Sequence, residues 1–65
     1  MHIKIDRNSR TPIYIQIRNQ IRAMIFDGRL PPGSLLPPER KLAESLGVNR
    51  STVLTAYREL KADGL

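Results

Sequence analysis

The sequence predicts a mainly α-helical domain of three helices, arranged as a helix-turn-helix, and three observations support this fold class. Two short amphipathic patterns within residues 40–60 flank a break at Gly47. A longer run with apolar residues at helical spacing precedes them. A proline-rich stretch separates the long pattern from the short ones. A helix-turn-helix leaves its second short helix free to enter a DNA major groove, whereas the alternative is an ordinary helical hairpin with glycine at its corner.

The composition restricts the class of protein. A chain of 65 residues forms one small domain with a marginal core. Cysteine is absent and His2 is the single histidine, so disulfides are excluded and a metal site is not expected. We find no apolar run of membrane-spanning length and no signal peptide, so a cytoplasmic location follows by default. The net charge of +5, carried mostly by arginine, favours nucleic acid as a partner, although anionic membrane surfaces also attract basic domains.

The N-terminal part of the sequence predicts an extended segment followed by a long helix. Residues 1–10 alternate apolar and charged side chains, which is compatible with a short strand or with an extended arm. The first helix is predicted to begin at Pro12, with Thr11 as its cap, and to end before Gly28. Its core face spans an arc of about 120°. The residues on that arc are Ile13, Tyr14, Ile17, Ile21, Met24 and Ile25.

Two apolar residues of this helix, Ile15 and Phe26, lie off the core face. They are either single, partly exposed side chains or contacts to another domain or subunit.

The connector at residues 29–38 contains four prolines, so no helix is expected there. The pair Pro32-Gly33 predicts a turn, and residues 34–36 are compatible with a short strand. A second helix is then predicted at about residues 38–46, and Glu39 in its first turn is favourable to the helix dipole.

The third helix is predicted at about residues 50–63, with Asn49 as its cap and Gly64 as its stop. Ala43 is small where the two short helices approach each other, and Gly47 can take the left-handed conformation that ends the second helix. An apolar seam joins the two helices. It comprises Leu42, Leu46, Val48, Val53, Ala56, Tyr57 and Leu60.

Three segments together resemble the winged helix-turn-helix DNA-binding domain of the GntR family of bacterial transcription regulators. They are PIYIQIRNQI (12–21), GRLPPGSLLPPERKLAESLGV (28–48) and NRSTVLTAYRELKADGL (49–65). The sequence around residues 48–52 and Tyr57 is most similar to the MocR and YtrA subfamilies. The first resemblance implies a longer chain with a downstream aminotransferase-like domain that binds pyridoxal phosphate. The second implies a short helical dimerisation tail. Neither is contained in residues 1–65, so no cofactor is expected in this segment.

The sequence departs from the family pattern at two points. The family normally continues with a two-stranded wing at the point where this sequence stops, after Leu65. We therefore expect a truncated wing, no minor-groove contacts from it, and a fragment of a longer regulator that acts as a homodimer. Leu54 stands where some relatives carry a DNA-contacting arginine, so that contact is not expected here, and we expect Leu54 to pack.

Six residues are predicted to contact DNA, and they cluster at the starts of the second and third helices. They are Arg40, Asn49, Arg50, Ser51, Thr52 and Thr55. Arg50 is predicted to read a guanine, with a phosphate contact as the alternative, because N-terminal residues of recognition helices usually meet base edges. Ser51 and Thr52 can donate to phosphates or bases, or can simply serve the start of the helix.

The predictions for Arg40 and Thr55 each have an alternative. For Arg40 the resemblance implies contact with the DNA backbone or a guanine, whereas an ion pair with Glu44 at i,i+4 is the bland alternative. Thr55 suits a phosphate or a thymine methyl group.

Other function classes fit the sequence less well. It contains no arrangement of catalytic residues and no phosphate-binding glycine loop, so an enzyme is not expected. RNA binding is disfavoured because the usual aromatic platforms are missing. A protein-interaction or dimerisation module that uses Ile15, Phe26, Leu35 and Leu36 is the alternative to sequence-specific DNA binding.

Overall fold

The computed structural model describes residues 1–31 and 33–65. It contains, within those ranges, three helices: α1 (Ile13–Phe26), α2 (Glu39–Leu46) and α3 (Arg50–Ala62). The predicted order is confirmed: a long first helix, a short second helix, and a third helix longer than the second. α3 packs against both α1 and α2 and is therefore the central element. No helix in the described ranges has the length and apolar character needed to cross a membrane.

A single apolar cluster at the meeting point of the helices forms the core. Its buried members are Ile3, Ile17, Ile21, Met24, Leu42, Ala43, Val53, Ala56 and Leu60. The predicted core face of α1 and the predicted seam between α2 and α3 supply all of these except Ile3 and Ala43. The other predicted members, such as Tyr14, Leu46 and Tyr57, are partly buried and pack against the cluster. No polar or charged side chain is buried in the part of the chain described.

Two glycines end α2 and α3 as predicted. Gly47 adopts a left-handed φ of 68°, and the N–H of Val48 donates to the carbonyl of Ala43 at 3.0 Å. Gly64 has a φ of 82°, and the N–H of Leu65 donates to the carbonyl five residues earlier, also at 3.0 Å. These bonds satisfy carbonyl groups that would otherwise lack partners at the helix ends.

The predicted side-chain caps at the helix starts are wrong. Pro12, not Thr11, occupies the cap position of α1, and the helix begins at Ile13, one residue later than predicted. Asn49 does occupy the cap position of α3 in an extended conformation, but its side chain forms no cap hydrogen bond. The first turn closes through the main chain instead, because the N–H of Thr52 donates to the carbonyl of Asn49 at 3.0 Å.

The N-terminal segment is an extended arm, not a strand, and two glutamines of α1 hold it. The Gln16 amide accepts from the N–H of Asp6 at 2.8 Å and donates to its carbonyl at 2.9 Å. The Gln20 amide does the same for Lys4, at 2.9 and 2.6 Å. Each side chain thus satisfies both backbone groups of one residue, as a neighbouring strand would. This attachment places Ile3 in the core.

The connector between α1 and α2 contains no strand among its described residues, so the strand considered at residues 34–36 is wrong. A ladder needs a second strand to accept and donate hydrogen bonds, and the described ranges contain none. The N–H of Ser34 donates to the carbonyl of Pro31 at 3.0 Å, which agrees with the predicted turn. Pro32, the first residue of the predicted turn pair, lies outside the described residues.

The apolar residues off the core differ in exposure. Phe26 is 75% exposed and Leu35 is 94% exposed, whereas Ile15 is half-buried. The structure therefore places Ile15 and Phe26 in different environments rather than on one exposed line.

Candidate nucleic-acid interface

α3 has a buried side and an exposed side, separated as the sequence predicted. Val53 and Ala56 are fully buried, and Leu60 is 2% exposed. The residues on the opposite side are polar and exposed. They are Ser51, Thr55 and Arg58, while Arg50, also exposed, flanks the N-terminal end of the helix. Because the buried side is fixed by the core, the polar side of α3 can only face outward.

The predicted contact residues lie at the surface around the starts of α2 and α3. Arg40 in the first turn of α2 and Asn49 ahead of α3 are exposed, whereas Thr52 is half-buried. The structure brings the two helix starts together through a contact between their first residues, Glu39 and Arg50.

Arg50 is engaged within the molecule by a contact that the sequence analysis did not anticipate. Its Nε donates to Oε1 of Glu39 at 2.9 Å, and its Nη2 lies 2.8 Å from the same oxygen in an ion pair. The Arg50 side chain is 64% exposed and that of Glu39 only 24%. The two residues begin α3 and α2, respectively, so this ion pair joins the two helix starts.

Local contacts of two other predicted residues are also given by the structure. Arg40 and Glu44, both within the described ranges, form no ion pair with each other, so the pairing considered for the exposed Arg40 is absent. The Thr55 hydroxyl donates to the carbonyl of Ser51 at 2.9 Å, as is common for threonine inside a helix. Its hydrogen is therefore already used, so Thr55 offers a partner its methyl group and a hydroxyl oxygen that can only accept.

Tyr57 connects α3 to the residues that lead into α2. Its hydroxyl donates to the carbonyl of Pro37 at 2.7 Å. Partial burial of the phenol, together with the negative charge of Glu39, raises the pKa of Tyr57 to about 12. The bond therefore fixes the connector one residue ahead of the α2 cap, Pro38.

This raised pKa predicts a loss of stability at high pH. An unfolded tyrosine ionises near pH 10. The folded state holds the Tyr57 proton more tightly, so its contribution is fully present below pH 10 and is lost as the pH rises toward 12. After discounting for the exposed part of the ring, we expect a loss of about 1 kcal/mol, or roughly 4–8 °C in Tm. Thermal unfolding of the wild type and of Tyr57→Phe between pH 9 and 12 measures it, and parallel losses in both proteins would contradict this assignment.

Arg7 is a residue of the interface region that the sequence analysis missed. Its Nη2 atom donates to the carbonyls of Leu46 and Gly47, at 3.2 and 3.0 Å. A cation is favourable at the C-terminal end of a helix, so Arg7 stabilises the turn between α2 and α3. No sequence signal could have identified this contact, because about forty residues separate the partners and their approach depends on how the arm docks.

Ion pairs distribute the charge of the domain unevenly. Arg18 and Arg22 of α1 pair with Glu59 and Asp63 of α3 and its C-terminal end. Four cations on α2 and α3 form no ion pair within the described ranges. They are Arg40, Lys41, Arg58 and Lys61. Unpaired positive charge therefore lies on the two helices of the helix-turn-helix and on the arm, at Lys4, Arg7 and Arg10, and it favours an approaching polyanion.

One protein-family model and two curated transcriptional regulators are similar in sequence to this chain. Residues 13–65 match the sequence model of the family described as "Bacterial regulatory proteins, gntR family". The chain is 43% identical over 60 residues to the probable rhizopine catabolism regulatory protein MocR of Rhizobium meliloti, which covers 92% of this chain and 12% of that protein. It is also 43% identical over 63 residues to the HTH-type transcriptional repressor YtrA of Bacillus subtilis, covering 97% of this chain and 48% of the repressor.

A solved structure agrees in fold. YtrA from Sulfolobus acidocaldarius, a GntR-family transcription factor, superposes with a TM-score of 0.91 at 53% sequence identity. The match covers 95% of this chain and 66% of that one. The chain therefore spans about half the length of one curated relative, an eighth of the other, and slightly under two thirds of the solved structure.

Proposed function

The chain belongs to the GntR family of bacterial regulatory proteins and is a helix-turn-helix DNA-binding domain of a transcriptional regulator, and we propose that it reads duplex DNA by inserting the start of α3 into the major groove. One observation carries the proposal. The exposed polar side of α3, with Ser51, Thr55 and Arg58, lies opposite a fully buried apolar side, and the exposed Arg50 flanks the N-terminal end of the helix. The family is one of transcription factors, so we propose no catalytic role for residues 1–65.

Each residue has a proposed role that follows from its chemistry and position. Arg50 reads a guanine, because its planar fork matches the N7 and O6 atoms. Ser51, Thr52 and Asn49 contact phosphates or base edges near the start of α3. Arg40, which has no acidic partner in the described ranges, contacts the DNA backbone. The Thr55 methyl group packs against a thymine methyl.

We also propose that the full-length regulator acts as a homodimer. A single module of this size buries roughly 600–1,000 Å² on DNA, which is small for a specific complex. Two copies bound to half-sites about 34 Å apart would double this area. Binding of pyridoxal phosphate is a proposal for a downstream domain only, and it applies if the regulator is built like the MocR relative.

Binding to a selected DNA site at several salt concentrations tests the proposed function. Sites are selected from a random duplex pool with the 65-residue chain, and fluorescence anisotropy then gives the affinity between 50 and 300 mM salt. We expect a log–log slope of roughly −2 to −4, since each phosphate contact contributes about −0.9. An RNA duplex of the same sequence serves as the control and should bind without sequence preference.

Two outcomes would contradict the proposal. One is the failure of selection to enrich any sequence, combined with salt-insensitive binding, which would favour the protein-interaction alternative. The other is equal binding of the RNA and DNA duplexes, since α3 cannot enter the narrow major groove of A-form RNA.

A further inference from the structure

The ion pair between Glu39 and Arg50 constrains the residue that is proposed to read a base. Glu39 is the first residue of α2, and Arg50 is the first residue of α3. A single carboxylate oxygen, Oε1, accepts a hydrogen bond from Nε of Arg50 and lies 2.8 Å from its Nη2. Glu39 is the more buried partner, so the carboxylate acts as the anchor and the guanidinium as the held group.

The geometry of the pair leaves one edge of the guanidinium available. An arginine carries five N–H groups, one on Nε and two on each terminal nitrogen. Glu39 takes the Nε–Nη2 side, which leaves both hydrogens of Nη1 and one of Nη2. This remaining edge presents two parallel N–H groups, which is the arrangement that meets guanine O6 and N7.

The charges of the pair have a second consequence. A cation at the start of a helix is disfavoured by the helix dipole, whereas an anion there is favoured. Glu39 lies at the start of α2 and offsets the charge of Arg50 at the start of α3. A neutral pair attracts a phosphate less than a free arginine does, but its remaining N–H groups still donate to an uncharged base edge.

A contact from α3 fixes the anchor itself. The Tyr57 hydroxyl holds the carbonyl of Pro37, two residues ahead of Glu39, at 2.7 Å. The start of α2 is thus tied to α3 by Tyr57 and by Arg50. Glu39 is therefore attached to a fixed main chain. Because it orders Arg50 in the free protein, Arg50 loses less side-chain entropy when DNA binds.

We infer that Glu39 is a specificity-determining positioning residue, which presents one edge of Arg50 to guanine and weakens the attraction of Arg50 to phosphates. This inference rests on the proposed function, in which Arg50 reads a base. It assigns to Glu39 a negative effect on non-specific binding, which is the opposite of what a residue that merely supports the fold would have.

The substitution Glu39→Gln tests this inference, because glutamine keeps the side-chain length and removes the charge. We expect affinity for random duplex DNA to rise roughly eightfold at 0.1 M salt, with a slope steeper by about 0.9, as for one added phosphate contact. Affinity for the selected site should not rise with it, so the ratio of specific to non-specific affinity should fall about eightfold.

Asp27→Asn is the matched control, because it also removes one carboxylate charge and one ion pair, with Arg29. Asp27 lies at the C-terminal end of α1, directly after its last residue. In the same half of α1, Arg22 pairs with Asp63 at the C-terminal end of α3. That end of α3 lies about 18 Å from Arg50 at 1.5 Å per residue. The control should leave the ratio of specific to non-specific affinity unchanged.

Combination with Arg50→Ala separates the possible results. In that background Glu39→Gln should no longer change the affinity ratio, because its effect passes through Arg50. The inference is overturned if Glu39→Gln behaves like Asp27→Asn, or if its effect persists without Arg50, as it would if Glu39 accepted a hydrogen bond from a cytosine itself. If Arg50→Ala alone leaves the selected site bound normally, the proposed role of Arg50 fails first, which is a distinct result.

Discussion

Arg50→Ala is expected to weaken binding to the selected DNA site by about 1–3 kcal/mol, which is roughly 5- to 150-fold. The reason is the loss of two parallel hydrogen bonds to a guanine. Sequence preference should relax at one base pair, and affinity for random DNA should change much less. Anisotropy titrations against the selected site and its single-base variants measure both effects.

Two further substitutions control for charge. Arg50→Lys keeps the charge but loses the planar fork, so base discrimination should fall while the salt slope stays near the wild-type value. Arg29→Ala removes another exposed arginine that is paired with an acid, Asp27, and it should leave base preference unchanged. Normal discrimination at every base pair by Arg50→Ala would show that Arg50 does not read a base.

Leu60→Ala is expected to cost about 2–5 kcal/mol of the free energy of unfolding. Leu60 is 2% exposed and belongs to the core cluster where α3 meets α1 and α2. A domain of this size has little stability to spare, so much of the chain should be unfolded at 37 °C. Urea denaturation followed by circular dichroism measures the change.

Leu35→Ala is the matched control for this substitution, because Leu35 is 94% exposed. The same chemical change should then stay within about 0.5 kcal/mol of the wild type. Equal losses from Leu35→Ala and Leu60→Ala would contradict the described core. DNA binding by Leu60→Ala should fall in proportion to its unfolded fraction, with base preference retained.

Local signals in the sequence predicted the helices and their ends well. The spacing of Ile17, Ile21 and Met24 identified the buried face of α1, because helical periodicity depends only on neighbours along the chain. Gly47 and Gly64 marked the ends of α2 and α3 for the same reason. The cap predicted at Thr11 was wrong, since Pro12 takes that position. Asn49 occupies the predicted cap position without a side-chain bond, because a capping residue type permits such a bond without requiring one.

Contacts between distant segments could not be predicted in the same way. The bonds of Gln16 to Asp6 depend on how the arm crosses α1, and those of Arg7 depend on where the turn after α2 lies. The pairing of Arg50 with Glu39 depends on the angle between α2 and α3, which residue spacing alone does not specify. The candidate site was therefore predicted as a set of residues, but not as an arrangement of side chains.

The most direct test of the central claim is to map DNA contacts residue by residue, from backbone amide NMR shifts of the 65-residue chain titrated with its selected duplex. Our account predicts the largest shifts at Arg40 and at residues 49–55, with little change at Phe26 and Leu35. The largest shifts at Phe26 and Leu35, with residues 49–55 unaffected, would contradict it.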